Sequence, residues 1–473
     1  MDEDNKTKHI KRPNAQQRHA YLENLLKNTV MTGLPQIATE HNLKRKVFKI
    51  LVFFACLFGF VYQLTEFLML YFTYPTTLEV LVKFTEDELL PKPVITTCDV
   101  NGIRRSAFCK DFPSLCEKPK NVSLFCTKNS QFCEKENFTD DDLMFPLPFV
   151  YYEMDYNRTI IEDYGTMAED ILYIYKNFTR RVFYANELWK VRSCYSIDLN
   201  LIDPNITEDY FPALKMYSNT KTVGDVVITF NSKELFRPTV PVGAKISIHS
   251  KDQIVNPFVD GFLVKPGNRY IIQLKVIEED LLTNPYSTNC SYYERSKEKS
   301  FDELYTRQRC ILNCQKEKWL ENCGCISGDY PFETDGTFCT GEKINCLDNV
   351  DTDHCVDKCQ VACQATVFEY EVDDAPIEFY DFYVPLETTD EDTNENYRKQ
   401  EQVAVMSFFF NRPELLIYKY KPKFQSIELF SYIGGYIGMW LGISLIAICD
   451  FLEMITVYIY HIITRDIPSI ENY

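Results

Sequence analysis

A chain of 473 residues with 45% hydrophobic content is long enough to bury a sizeable core. Its formal net charge of -18 leaves it without the clustered Lys and Arg that phosphate recognition needs, so no nucleic-acid partner is expected. Eighteen cysteines and an apolar run near each end set it apart from soluble enzymes, and with six His, no Gly-rich phosphate loop and no nucleophile elbow it offers no catalytic constellation.

The first thirty residues are polar and carry no cleavable signal. Residues 47–72 are apolar apart from Lys49, Gln63, Thr65 and Glu66, which predicts a first transmembrane helix. Lys44, Arg45, Lys46 and Lys49 crowd its start, so the positive-inside tendency puts residues 1–46 in the cytoplasm and residues 73–423 outside. A second apolar stretch, 424–463, is longer than one straight helix needs and is interrupted by Gly434, Gly435, Gly438 and Gly442. It returns residues 464–473 to the cytoplasm, although Lys419, Lys421 and Lys423 on its outer side run against the usual bias. The expected location is the plasma membrane, multi-pass, with the lipid bilayer as a partner. Six N-x-S/T sequons fall between the spans, at Asn121, Asn137, Asn157, Asn177, Asn205 and Asn289, where glycosylation is chemically available.

Cys56 and Cys449 lie within the spans, which leaves sixteen cysteines from Cys98 to Cys363 for an oxidising exterior. Cys310 and Cys314 are four apart, and Cys355, Cys359 and Cys363 are four and four apart, so each set is expected on one helix face. Antiparallel helices would then join Cys310 to Cys359 and Cys314 to Cys355, leaving Cys363 one turn beyond to reach Cys290. Between the helices Cys323 can nest with Cys346 and Cys325 with Cys339. Zinc is the rival reading of such spacings, but His354 is the one histidine in the cluster, so no metal is expected. Elsewhere short apolar strands alternate with turns, at 223–230, 244–249 and 269–276, with Lys265-Pro266-Gly267-Asn268 as a turn signal. Helix is expected over 163–182 and 301–319, and the acidic runs 140–142 and 390–392 read as solvated loops.

At this point the chain resembles the degenerin and epithelial sodium channel family, which includes acid-sensing and peptide-gated channels. Tyr71-Phe72-Thr73-Tyr74-Pro75 is similar to the family's aromatic wrist, where Tyr286 would complete the coupling, and Lys92 to Asn101 resembles its F-P-x-V-T-x-C-N segment. Cys194-Tyr195-Ser196 resembles the C-Y-T-F strand start, which implies a Cys98–Cys194 bridge. Gly261 to Gly267 resembles the palm strand and turn, and the later cysteine series resembles the laddered thumb. The remaining Cys109, Cys116, Cys126 and Cys133 are left to pair among themselves. The implied fold is an α+β membrane protein: two transmembrane helices flanking a large disulfide-rich extracellular domain with a β-sheet core and peripheral helices, of finger, thumb and palm type.

The resemblance also implies a trimer, homo- or heteromeric, of homologous subunits conducting Na+, with Ca2+ as a further permeant ion, and sensitive to amiloride. Gly442-Ile443-Ser444 matches the G-x-S selectivity belt, where oxygens replace part of the ion's hydration shell. Gly434, Gly438 and Gly442 recur at helical spacing and let neighbouring helices approach. Asp450 and Glu453 would cost about 2.5 kcal/mol or more facing lipid, a cost that lining a pore removes. Ser431 matches a small-residue gating position, and Thr32-Gly33 falls where the family has a His-Gly gating motif, with threonine in place of histidine.

For gating, Tyr74-Pro75-Thr76 stands where acid-sensing members have a His-His pair, so an extracellular ligand such as an amidated neuropeptide ranks above protons. The Asn-, Lys- and Tyr-rich composition resembles the cnidarian neuropeptide-gated branch. Proton, mechanical or constitutive opening are the alternatives within the family. A non-conducting glycosylated receptor or adhesion subunit, and an ATP-gated channel, for which no lysine-rich nucleotide site is recognisable, are the rivals outside it.

Overall fold

In a computed structural model of the chain, the described residues are 34–84, 90–133, 143–154, 157–172, 179–199, 222–293, 305–377 and 402–464. The chain divides into a helical unit (Met1–Thr77, Pro285–Ser287, Lys421–Tyr473) and a sheet unit (Leu78–Asn284, Thr288–Tyr420).

The helical unit opens with α1, Leu43–Tyr71, whose N-cap Asn42 accepts the backbone N–H of Lys44. Its 29 residues extend about 43 Å at the α-helical rise, more than a hydrocarbon core requires. The helix begins four residues before the apolar run, so the basic cluster forms its first turns rather than preceding it. Lys49 there binds Glu40 at 2.7 Å. Among the described residues α1 is the one helix long and apolar enough to cross a membrane by itself. The second run is not one helix: it divides into two, bent by 80°, which meet the same criterion only as a single broken span.

Two five-stranded sheets build the other unit. The first has the order β1 (Thr76–Phe84), β10 (Val403–Pro422), β8 (Asn268–Asp280), β9 (Gln364–Pro376), with β5 (Thr222–Thr229) also on β10. β8 runs antiparallel to β9 and parallel to β10. Its alternation of Tyr270, Ile272, Leu274 and Val276 toward the core is the period-2 pattern that makes it a strand, and Gly267 at φ +79° supplies the turn before it. The second sheet has the order β3 (Thr179–Ala185), β4 (Val191–Asp198), β2 (Val94–Asp99), β6 (Ala244–His249), β7 (Phe262–Val264), antiparallel throughout. Ile95, Ile197, Ile246 and Ile272 share one buried cluster, so the two sheets close on a common core.

Within the described part of 163–182 the expected helix is replaced by three elements, and residues 173–178 lie outside the described residues. Helix α2, Arg158–Tyr164, stops at Gly165, a four-residue helix covers Ala168–Ile171, and 179–185 is β3. A side chain at 165 would lie 2.2 Å from the carbonyl of Ile161, and Val182, Phe183 and Tyr184 are taken up in pairing with β4. Helix α3 runs Arg307–Cys323, capped by Thr306 and ended by Gly324 at φ +69°; residues 301–304 of the expected 301–319 helix lie outside the described residues, as do 140–142 and 390–392.

Eight disulfides tie this unit: Cys98–Cys194, Cys109–Cys116, Cys126–Cys133, Cys290–Cys363, Cys310–Cys359, Cys314–Cys355, Cys323–Cys346 and Cys325–Cys339. The helix expected to hold three of these cysteines holds one turn and a half: α4, Asp353–Lys358, ends at Cys359, whose backbone is extended. Cys363 already behaves as sheet, accepting from Leu281 N–H and donating to Ser291 O, because the β8–β9 ladder begins at the next residue.

The core of the second sheet contains a polar pair. His249 is buried, with Nε2 2.8 Å from Thr96 Oγ1 and Nδ1 2.8 Å from Ser250 O, an arrangement that suits a neutral ring donating through Nδ1. Burial pushes its pKa from 6.5 down to about 4. The unfolded chain therefore takes up this proton first as pH falls: stability is full above 6.5 and is lost progressively toward 4. The shift is worth about 3 kcal/mol. Thermal unfolding of the purified chain is expected to show an acid slope over that window that flattens in His249→Gln; an unchanged slope contradicts the assignment.

Candidate functional site

One face of α1 organises the helical unit. Gly59, Gln63, Phe67 and Tyr71 follow one another at four-residue spacing and so form a single stripe. Phe67, 7% exposed, packs its ring on Phe424, Tyr432 and Tyr436 with centroids 5.5, 4.9 and 5.9 Å away. Tyr432, Tyr436 and Trp440 repeat the same spacing on the partner side. That partner is α5, Ser426–Tyr436, continued as a π-helical turn over Ile437–Leu441.

Immediately after that turn the helix stops. Gly442 takes a left-handed backbone, φ +61°, and donates to Gly438 O at 3.1 Å. The next helix, α6, Leu445–Thr464, is capped by Ser444: its Oγ accepts from Ala447 N–H at 3.2 Å, and its carbonyl accepts from Ile448 N–H. The triplet Gly442, Ile443, Ser444 is thus a helix C-terminus, one linking residue and a helix N-cap, and it carries the 80° bend. A helix ending here turns its last carbonyls, the negative end of its dipole, toward the break. Gly442 and Ser444 are exposed within this chain.

The other residues singled out from sequence are spread along the same two helices. Ser431 donates its hydroxyl to Ile427 O at 2.9 Å and lies exposed on α5. At Gly434, Gly435 and Gly438 an added side chain would meet nothing within 4 Å, so this face is unused by the chain itself. Asp450 and Glu453 sit one turn apart on α6, half-buried and exposed respectively. Tyr71, Tyr74 and Tyr286 come together at the end of α1, with centroids 6.5 Å apart for Tyr71–Tyr74 and 5.7 Å for Tyr74–Tyr286. Tyr74 holds φ +49°, a conformation that a tyrosine adopts only under constraint. Beside it Lys423 N–H donates to Pro75 O, tying the two strand ends together. Thr32 and Gly33 lie outside the described residues, as do Asn137, Asn177 and Asn205. Asn121 and Asn289 are exposed, and Asn157 is half-buried as the N-cap of α2.

In the sheet unit, a cavity of about 550 Å3 opens between the β3–β4 turn and the disulfide-laddered segment, lined by Leu188, Trp189, Trp319, Asp329, Tyr330 and Asp348 among others. Asn186 holds that turn by accepting from Leu188 and Lys190 N–H groups, leaving Trp189 75% exposed. The cavity was not legible from the sequence, because its walls come from segments more than a hundred residues apart. Gln63 and Trp440 were passed over too; a lone amide inside an apolar run was the available signal. Among the described residues no group of three or more metal-ligating side chains gathers.

The model of the family described as amiloride-sensitive sodium channel matches residues 25–454. Among curated proteins, acid-sensing ion channel 1B of Danio rerio is 25% identical over 48% of this chain and 40% of its own length. The degenerin unc-8 of Caenorhabditis elegans is 25% identical over 48% of this chain and 32% of its own. The gamma subunit of the Xenopus laevis epithelial sodium channel is 23% identical over 50% and 39%. The matched stretch thus spans less than half the length of each of these relatives.

Two glycines separate strain from packing. Gly442→Ala places a side chain in the left-handed region at a cost of about 1–2 kcal/mol and is expected to lower the melting temperature of the purified protein. Gly434→Ala meets open space and relieves backbone entropy, so in an isolated chain it is neutral or stabilising by about 0.5–1 kcal/mol. A larger loss from Gly434→Ala than from Gly442→Ala would contradict this reading.

Proposed function

The chain belongs to the amiloride-sensitive sodium channel family, a family of ion channels rather than enzymes, and from that premise we propose that it is one subunit of a trimeric, sodium-permeable cation channel of the plasma membrane. In this reading α1 and the bent α5–α6 pair cross the bilayer, both termini are cytoplasmic, and the sheet unit with its eight disulfides is extracellular, where an oxidising environment maintains such bridges.

The observation that carries the reading is the break at 442–444 within an otherwise apolar helical run. Non-helical backbone at membrane depth survives only where it is buried in protein or lines water. Three copies arranged about an axis supply that condition. Carbonyls at the end of each α5 segment, with the Gly442 and Ile443 carbonyls and the Ser444 hydroxyl, then offer oxygens to a partly dehydrated Na+, while negative helix ends favour a cation over an anion. The empty face at Gly434, Gly435 and Gly438 fits close approach by a neighbouring subunit. Asp450 and Glu453 on α6 form rings that concentrate cations at the inner mouth. Ser431, nearer the outer end, is a gating position, and the Tyr71, Tyr74, Tyr286 cluster couples the extracellular strands to α1.

The channel opens on an extracellular ligand. The cavity beside Trp189 and Trp319 combines apolar walls with Asp329 and Asp348, a lining suited to a peptide with an aromatic side chain and a cationic group. Proton gating is the second reading: Asp99 is half-buried, and desolvation raises its carboxyl above the usual range although Thr166 and Asn101 donate to it.

Voltage clamp of cells expressing the chain, alone and with homologous subunits, tests the proposal. Amidated, cationic peptides are expected to evoke an inward, amiloride-blocked Na+ current that Asp450→Asn reduces and Ser444→Cys makes less selective. Current on acidification with silence across a broad peptide panel would reject the ligand. Conductance indifferent to both substitutions would reject the pore.

A further inference from the structure

Gln63 is the one amide side chain in α1, and Trp440 the one tryptophan of the C-terminal apolar run. Trp440 Nε1–H donates to Gln63 Oε1 at 2.7 Å. One turn earlier on α1, Gly59 leaves the space into which the indole ring fits: a Cβ at that position would stand 2.6 to 2.9 Å from three carbons of the ring. The ring is thus held from two sides, by shape at Gly59 and by a hydrogen bond at Gln63. An indole N–H and an amide oxygen within an apolar span have few other partners, and leaving either unpaired in hydrocarbon is costly. The bond therefore opposes any separation of the two helices at this level.

Its position gives the bond a consequence. Trp440 lies in the π-helical turn two residues before Gly442, so whatever fixes the indole fixes the orientation of the last carbonyls before the break. Above it, the contacts of Phe67 with Tyr432 and Tyr436 are aromatic packing and set no orientation by hydrogen bonding. The Gln63–Trp440 hydrogen bond directly links α1 to the segment that ends at the break.

We propose that Gln63, Trp440 and Gly59 form a latch between the two membrane helices that positions the 442–444 break, so that ion selectivity depends on the Gln63–Trp440 hydrogen bond. Both are positioning residues: neither touches the ion. The inference rests on the channel reading above.

The test is the Na+/K+ permeability ratio from reversal potentials, with surface expression measured in the same cells, for Trp440→Phe, Gln63→Met and the double variant. Trp440→Phe keeps a ring in the Gly59 socket and removes the donor, while Gln63→Met keeps length and removes the acceptor. Each single change is expected to lower the ratio by about threefold, the scale of one net hydrogen bond, with surface expression retained. The double variant is expected to lower it no further, since both remove the same bond. Gly59→Val, which displaces the ring while leaving both hydrogen-bonding groups, is expected to reproduce the shift. A conducting wild type whose single variants keep the wild-type ratio, changing only current amplitude, or whose two shifts simply add, overturns the latch alone. A wild type that reaches the surface and carries no amiloride-sensitive current overturns the channel reading, and the latch's effect on selectivity falls with it.

Discussion

A helix that stops inside hydrocarbon exposes peptide groups that lipid cannot satisfy. In the proposed channel that constraint acts at 442–444, where Gly442 turns left-handed and Ser444 begins a new helix. Ser444 answers half of the difficulty within the chain by capping α6 with its own hydroxyl. The carbonyl side of the break is what a cation, or a water column holding one, would complete. The rest of the helical unit serves to keep this interruption in place: aromatic stripes on α1 and α5 hold the helices together above it, and an indole–amide bond holds them at its edge.

The sheet unit solves a different physical problem. It is built from strands whose partners are distant in sequence, with β8 pairing β9 and β10 across roughly a hundred residues or more, and such topologies carry a large loop-closure cost. Covalent bridges lower that cost by restricting the unfolded chain. The Cys98–Cys194 bridge joins directly opposed residues of β2 and β4, and the Cys310–Cys359 and Cys314–Cys355 bridges hold α3 against α4. Buried charge adds specificity to the same unit. Arg158, fully buried, donates to Glu162 and to the carbonyls of Gly328 and Tyr330 while lying over the Phe183 ring, which fixes α2 against the loop after α3. Burial brings its guanidinium down to about 10, still charged at physiological pH.

How far the sequence could be read follows from the range of the interactions involved. Apolar length marked α1, though not its start, because the helix begins at an Asn42 cap that hydropathy does not see. Local apolar pattern marked β5, β6 and β8 as strands, whether one face is buried, as along most of β8, or both, as in β6. It failed over 163–182, where Gly165 ends a helix and tertiary pairing makes a strand of what propensity leaves ambiguous. The four-residue cysteine spacing described Cys310 and Cys314 on α3 but overextended α4, because Cys363 obeys the β8–β9 ladder instead. At the candidate site, the resemblance of Gly442-Ile443-Ser444 to the G-x-S belt located the break, whereas glycine content alone did not, since Gly434, Gly435 and Gly438 sit in continuous helical turns. The Gln63–Trp440 bond joins residues 377 apart, and the Trp189 cavity draws its walls from the turn at 185–191 and from several stretches between 312 and 352, so local pattern could reveal neither.

The measurement that bears most directly on this account is a structure of the full chain in lipid nanodiscs with Na+ present, determined without imposed symmetry. The account predicts three copies about one axis, with the interrupted segments of α5 and α6 meeting there and cation density between the Gly442 and Ser444 oxygens. A continuous helix through these residues, facing lipid and far from any axis, would contradict it.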